Sequence, residues 1–341
     1  MLTAKRSILA ITLIAAFVGT SGARISFAAE NAAGFYLLGA KTAMAGYVPP
    51  PGTYVTDLNY YYSGSAGGQA AVGIALRQTG ALLDIQADVS IDAQAYINAP
   101  IALWIAPEKV LGGNVGFGVM VPVGRKKVEI GLDTFAQITL PNGTVIDANR
   151  NFDFDDASTK FGDPLLNALL GWHQGNWHWT VGALLNVPIG QWDTDSITNL
   201  SFNHWGLDTT AALTWLDPAK GHEISVAAGF TFNWENPATD YRTGTEFHVE
   251  WALIQHVSKT FSIGISGYHY QQVTGDSGSG ARLGPFEGRV TAIGPVMTYT
   301  FECGKIPVTT QLEWMHEFDV KNRAEGDMGL LNISMPLSIG H

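Results

Sequence analysis

The chain has 341 residues, with 30 acidic against 19 basic side chains and a net charge of −11. That balance argues against nucleic acid or an anionic inner leaflet as a partner, and a single cysteine, Cys303, excludes a disulfide-stapled scaffold. Few residues are charged, while glycine and tryptophan are abundant; this suits a barrel with a wet lumen, a lipid-facing band and aromatic girdles, with a large extracellular sandwich as the structural rival.

Lys5 and Arg6 precede the apolar run Ile8–Val18, and Ser26-Phe27-Ala28 offers a small-x-small cleavage site. Residues 1–28 thus read as a secretory signal peptide whose apolar core is too short to span a bilayer. Its removal takes Lys5, Arg6 and Arg24 and no acid, so −11 becomes −14. No later stretch approaches the roughly 18 continuous apolar residues of a spanning helix. An exported chain of this kind is soluble or crosses a membrane by closed strands, which satisfy every backbone polar group in lipid. Residues 29–52 mix apolar side chains with glycine and end in Pro49-Pro50-Pro51, which cannot donate ladder hydrogen bonds. The expectation is a segment packed in or beneath the barrel, with a loose periplasmic leader weighed evenly against it.

From Thr53 to the C-terminus the pattern has a period of two. The first strand is expected at Tyr54–Tyr62, and Ala70–Leu76 holds at most one poor strand. Residues 85–98 alternate most cleanly, with Ile85, Ala87, Val89, Ile91, Ala93, Ala95 and Ile97 against Asp88, Asp92 and other polar residues. Further strands are expected at Asn114–Val121, Val128–Leu140, Leu165–His173, Trp177–Val187, Leu207–Leu216, Glu223–Trp234, Thr245–Val257, Phe261–Val273, Arg289–Phe301, Val308–Phe318 and Met328–Ile339. Leu165–His173 and Trp177–Val187 flank Gln174-Gly175-Asn176 as a hairpin with tryptophans near the turn. Short connections (Val123–Lys127, Gln174–Asn176, Asp217–Gly221, Val257–Thr260, Cys303–Ile306) alternate with long ones (Pro141–Asp163, Pro188–Gly206, Asn236–Gly244, Thr274–Gly288, Asp319–Asp327). Short periplasmic turns and long external loops are the habit of an outer-membrane barrel. The fold class is therefore all-β: a transmembrane antiparallel up-and-down β-barrel of about 12–14 strands over residues 53–341, in the outer membrane of a Gram-negative bacterium, among its lipid and lipopolysaccharide.

With apolar faces toward lipid, polar faces line the lumen, because a charge on the lipid face costs roughly 2–4 kcal/mol near the midplane for Arg or Lys and less for an acid. The lumen-lining candidates are Asp88, Asp92, Glu246, His248, Glu250, Glu313, Glu317 and Arg289. Two readings apply to them: a polar constriction along a permeation path, or mutually satisfied filling of a small barrel. Residues two apart on one strand sit about 7 Å apart, too far to form a metal site or catalytic pair by themselves. Trp104, Trp215, Trp234, Trp251 and Trp314 read as interface anchors, and Phe35 and Tyr36 as possible contacts of an apolar solute. Asp153, Asp155 and Asp156 fall in an expected loop, solvated or holding a divalent cation with lipopolysaccharide. Gly275-Asp276-Ser277-Gly278 lacks the strand-to-helix turn of a nucleophile elbow. No catalytic, cofactor-binding or metal-ligating residue is assigned.

The segments GFYLLGAKTAMAGYVPPPGTYVTDLNYYYSG, VLGGNVGFGVMVPVG, the Gly162–Asp193 hairpin, NWENPATDYRTGTEFHVEW and GYHYQQVTGDSGSGARLGPFEGRVTAIGP together resemble the meta-pathway phenol-degradation family. The resemblance covers nearly all of the chain after residue 28. It implies an outer-membrane barrel tied to passive uptake of hydrophobic or aromatic small molecules, without catalytic residues or a cofactor. Two alternatives stay open: an outer-membrane lipid hydrolase using Ser262 or Ser266 with His269, whose directions on the strand disagree, and a structural barrel without transport. The solute and the oligomeric state stay open as well.

Overall fold

The structure, a computed structural model, describes residues 34–76, 81–139, 143–281, 285 and 287–339. The expected signal peptide lies outside the described residues. Fourteen strands are described: β1 (Gly52–Leu76), β2 (Ala81–Val110), β3 (Gly113–Met120), β4 (Val123–Thr139), β5 (Val145–Phe161), β6 (Leu165–Gln174) and β7 (Trp177–Asn186). They continue with β8 (Gly206–Asp217), β9 (His222–Asn233), β10 (Glu246–His256), β11 (Phe261–Gln272), β12 (Arg289–Cys303), β13 (Ile306–Lys321) and β14 (Glu325–Ile339). β1 pairs with both β14 and β2, and the ladder runs on through β3, β6 and β7 round to β13. The result is a closed antiparallel ring of twelve strands, each with a paired neighbour on both sides, which is how strands cross lipid without a free edge.

β9 and β13 show which face of the ring meets lipid. On β9 Glu223, Ser225, Ala227, Thr231 and Asn233 are buried, while Ile224, Val226, Phe230 and Phe232 are exposed on the outside. The same inversion of a soluble core holds on β13, where Glu313 and Glu317 are buried and Leu312, Trp314 and Phe318 exposed. Such a band of exposed apolar side chains is stable only against lipid. Tryptophans mark its two rims. Trp177 and Trp215 lie side by side at the end with the short turns, and the Trp234 N–H donates to Trp205 C=O at the end with the long loops.

The remaining strands, β4 and β5, stand outside the ring. β2 is long enough to pair twice, with β3 through Ile101–Val110 and with β4 through Leu82–Asn98. β3 and β4 are two parts of one path interrupted at Val121-Pro122, and β5 and β6 are two parts of another interrupted at Gly162-Asp163-Pro164. The Gly162 N–H donates to Pro122 C=O across the double break (2.8 Å). A four-stranded wall, β5-β4-β2-β1, thus rises beyond the ring at the long-loop end.

This wall corrects several expectations. Residues 123–127 are not a short turn but the start of β4, because Pro122 interrupts the ladder without reversing the chain. Pro141–Asp163 is not a long loop: β5 fills most of it, paired along its length with β4. Ala70–Leu76 belongs to β1, and the Asp319–Asp327 loop shrinks to residues 322–324. Asp88 and Asp92 do not line the lumen. Ile91 and Ile97 are buried while Asp88 and Asp92 are exposed, as are Arg125 and Glu129 on β4 and Asp153 and Asp155 on β5. Charges on the outer face keep lipid away, so on β2 the apolar face turns inward and water lies outside.

An arginine on the lipid band should therefore be costly and one on the wall tolerated. Val226→Arg is expected to destabilise the barrel by roughly 2–4 kcal/mol, and Ala157→Arg, on exposed β5, by no more than about 0.5 kcal/mol. Urea unfolding in detergent micelles reads both; equal effects would refute the assignment of lipid and water faces.

Candidate functional site

The inner face of the ring carries small residues where a filled barrel would carry large ones. Ala212, Ala227 and Ala252 are buried and leave a groove down the lumen, and residues 34–51 lie in it. Ala45 packs against Ala212 and Ala227, and Ala43 against Ala252, Ile254 and Val296. Leu38 joins the main apolar cluster with Leu58, Tyr268, Met315 and Met328. At Gly39 φ is +83°, and a Cβ would lie 2.2 Å from the Met328 side chain, so only glycine turns the chain there.

What fixes this segment is a ladder of wall groups bonded mostly to its backbone. Glu250 on β10 accepts the N–H of Gly39 (3.1 Å) and of Lys41 (2.6 Å). Glu313 on β13 accepts the Thr42 hydroxyl, and Glu223 on β9 accepts the Met44 N–H (2.6 Å). Lower down, the Gly46 N–H donates to Thr214 Oγ1 on β8 (2.9 Å). The remaining carboxylate valence is also met, by Ser266 for Glu313 and by Ser225 and His256 for Glu223. At the short-turn end Tyr47 packs on the cross-strand pair His173 and His178. The segment thus runs the length of the lumen and joins β1 at its foot.

Above this segment, at the long-loop end, lies a cavity of ≈180 Å³. Its walls are apolar: Phe35, Leu37 and Leu38 of the segment, Ile97, Met120 and Leu165 of the strands, and Leu200 and Phe202 of the 187–205 loop. Polar groups line it on two sides: Glu246, His248, Tyr268, Tyr270, Glu317 and Arg323 on one, and Lys126, Asp163 and Asn186 next to the 187–205 loop on the other. Tyr270 donates to Glu246 (2.6 Å), and Tyr268 and Tyr62 donate to Glu317 (2.7 and 2.8 Å). Asp208 holds His248 through Nε2 (2.8 Å) while accepting from Thr210 and Thr231. Tyr36 stacks on the His248 ring with centroids 3.8 Å apart. Arg323, from the three-residue turn before β14, lies 4.3 Å above the Tyr270 ring.

The 187–205 loop closes the cavity between β5 and the ring. Asp163, at the break before β6, accepts from Asn186, Gly190 N–H, Ser201 and Phe202 N–H. On the wall, Lys126 donates to Asn199 C=O and Lys160 to Asn199 Oδ1. Burial, with Lys160 alongside, pushes the Lys126 ammonium down to about 8.

Of the candidates read from the sequence, Glu246, His248, Glu250, Glu313 and Glu317 are buried on the inner face, and Phe35 and Tyr36 line the cavity. Arg289 does not line the lumen: it sits at the rim and pairs with Asp319 (2.9 Å), both half exposed, because the strand is irregular between Arg289 and Thr291. Asp153 and Asp155 stand on β5, and Asp156 is engaged by Ser196 and Thr198. Among the described residues no three His, Cys, Asp or Glu side chains gather as a metal centre. Sequence reasoning missed Glu223, Asp208, Asp163 and Arg323. Glu223 and Asp208 carry the same signal as Glu246, an acid opposite an apolar face. Asp163 and Arg323 lie in a break and a turn, where no periodicity marks them.

The architecture is that of an outer-membrane β-barrel with an occupied lumen. The chain belongs to the family described as "Putative MetA-pathway of phenol degradation", whose profile matches residues 60–333. Among solved structures it is similar to an outer membrane channel from Pseudomonas putida F1, at 14% identity and a TM-score of 0.58, over 85% of this chain and 97% of that one. Weaker likenesses are to a FadL homologue from Pseudomonas aeruginosa (8% identity, TM-score 0.38, 83% and 90% covered) and to the CymD monoaromatic hydrocarbon channel (9% identity, TM-score 0.35, 86% and 90% covered). No curated protein matches the chain.

Glu250 is the strongest tie on the lumen segment. Glu250→Leu leaves the Gly39 and Lys41 amides without an acceptor, at about 1–3 kcal/mol for each buried group. Hydrogen exchange should then accelerate at those two amides far more than at Gly46, whose acceptor is Thr214; uniform acceleration, or none, would contradict the ladder.

Proposed function

We propose that the protein is an outer-membrane channel for passive uptake of hydrophobic or aromatic small molecules. The observation that carries this reading is an apolar-walled cavity at the long-loop end, seated on a lumen filled by the chain's own N-terminal segment. A water-filled porin has neither feature. Apolar walls lower the free energy of an apolar solute by about 25 cal/mol per Å² of its surface removed from water, which draws it from dilute solution without an energy source. Phe35 and Tyr36, on the segment's outer end, form part of both the cavity and the filling, so a solute leaving toward the periplasm meets residues 34–48 and displaces or passes them. The inner carboxylates then act as the seat of that segment rather than as a bare polar constriction.

The hydrolase alternative needs serine and histidine together. His269 instead bonds to Thr291 and Ser266 to Glu313, on opposite faces of the wall.

In proteoliposomes the full barrel is expected to speed entry of an apolar aromatic solute more than entry of a sugar. Deleting residues 34–48, in protein that still shows the heat-modifiability of a folded barrel, should raise sugar entry in particular, because it empties the lumen. Equal rates for both solutes in the intact protein would demote it to a general pore.

A further inference from the structure

Around the cavity the ladder runs from β8 through β14, β1, β2 and β4 to β5, and among the described residues β5 pairs with no further strand. The step from β5 back to β8 is made by the 187–205 loop. The Gly190 N–H and the Ser201 hydroxyl both donate to Asp163 Oδ1 (2.8 and 2.7 Å), and the Phe202 N–H donates to Oδ2 (2.7 Å). One carboxylate, 2% exposed, therefore holds both ends, and residues 191–200 between them form a compact flap of the Ω kind. Ile197 and Leu200 of this flap line the cavity.

The far side of the flap rests on the wall by bonds of another sort. At its foot the Gln191 N–H donates to Phe161 C=O (2.9 Å). Beyond that point Asp156 Oδ2 accepts from the Ser196 hydroxyl (3.0 Å), the Ile197 N–H (3.1 Å) and the Thr198 hydroxyl (2.9 Å). The Ser158 hydroxyl lies 2.7 Å from that of Thr198, and Lys126 and Lys160 reach Asn199. Each of these bonds needs a side chain, and Asp156, Ser158 and Lys160 are all partly exposed. Water can replace them one at a time, whereas parting two strands would bare a whole row of backbone groups.

We propose that residues 191–200 are a lid hinged on Asp163, and that solute enters the cavity when the lid parts from β5. This rests on the channel reading and names the gate of that same cavity. Asp163 keeps its bonds to Gly190 and Ser201 in both states, so the flap swings as a unit and returns to one place. Opening bares Ile197 and Leu200 together with wall residues such as Ala95 and Val128, and that apolar surface favours the shut state when no solute is present. An apolar solute covers part of it, so its arrival and the opening favour one another. A loop that merely completes the wall would behave differently: tying it to β5 would leave entry unchanged.

The test uses the full chain carrying Cys303→Ser, Ser158→Cys and Thr198→Cys, expressed in a porin-deficient Gram-negative host, with labelled toluene as the probe. The two replaced hydroxyls stand close enough for a disulfide, and removing Cys303, which is exposed, leaves a single pairing. Locked protein, its disulfide confirmed by loss of maleimide labelling, is expected to admit toluene no faster than the host without the barrel. Dithiothreitol should restore the uptake shown by the chain with Cys303→Ser only. Asp156→Ala, which releases three donors of the lid and leaves Asp163 in place, should raise uptake about tenfold, the equivalent of one net hydrogen bond. Heat-modifiability on gels confirms that each variant is a folded barrel, and Asp156→Ala keeps the test intact if the disulfide does not form. Uptake that is the same with the disulfide closed and reduced overturns the proposal, as does Asp156→Ala uptake no faster than wild type. If the chain with Cys303→Ser only admits toluene no faster than the host without the barrel, the channel reading itself fails.

Discussion

The structure depends on how buried carboxylates on the inner wall find hydrogen-bond donors. Glu223, Glu250 and Glu313 are all almost fully buried, and an unpaired buried charge costs several kcal/mol. Small barrels often answer such acids with arginine or lysine from the opposite wall. Here peptide N–H groups and a hydroxyl of residues 39–44 do much of that work, with serine, glutamine and histidine filling the rest. Removing either side exposes the other, so the lumen segment and the ring form one folded unit.

That dependence reaches into the register of the wall. The three acids come from β9, β10 and β13, and a slip of one residue on any of these strands would turn its acid toward lipid and an apolar side chain into the lumen. The alanines that open the groove share the inner face with the acids: Ala227 with Glu223 on β9, Ala252 with Glu250 on β10. Carboxylate and space therefore arrive together. A segment of small residues such as Ala43, Ala45 and Gly46 approaches the wall closely enough for its backbone to be the donor. At Gly46 a Cβ would sit 2.5 Å from the His178 carbonyl oxygen, a direct measure of that closeness.

Much of this was legible in the sequence wherever lipid touches the chain. From β6 onward the apolar stripe has one meaning, and the strand positions and inward acids Glu246, Glu250, Glu313 and Glu317 follow from it. Legibility failed in two places, for different physical reasons. Residues 85–98 alternate more cleanly than any others, yet period two does not say which face meets water, and Asp88 and Asp92 point outward. The second failure concerns the lumen segment: its ties to the wall are mostly main-chain N–H groups, which every residue but proline possesses, so no side-chain pattern announces them. Arg323 is hidden for a related reason, since a three-residue turn has no period at all.

The reversal of faces along β2 also locates the site. Near its foot the outward residues are Pro100, Ala102 and Trp104, suited to lipid; from Asn98 upward they are Asn98, Tyr96, Gln94 and Asp92, suited to water, with no break in the strand. Asp57, Asn59, Tyr96 and Asn98 join in one hydrogen-bonded network on that outer surface, and such a network would be expensive within hydrocarbon. The edge of the membrane on this side therefore falls close to Ala99, a fully buried residue of the main apolar cluster. The cavity is lined by Ile97, Ala95 and Ala93 just above that level. An apolar surface is thus held immediately outside the bilayer by a wall whose far side is wetted, and charged groups on the outer face are what allow the inner face to be oily there. Were β2 to obey the same rule above Ala99 as below it, its inner residues there would be polar and that side of the cavity would be wetted.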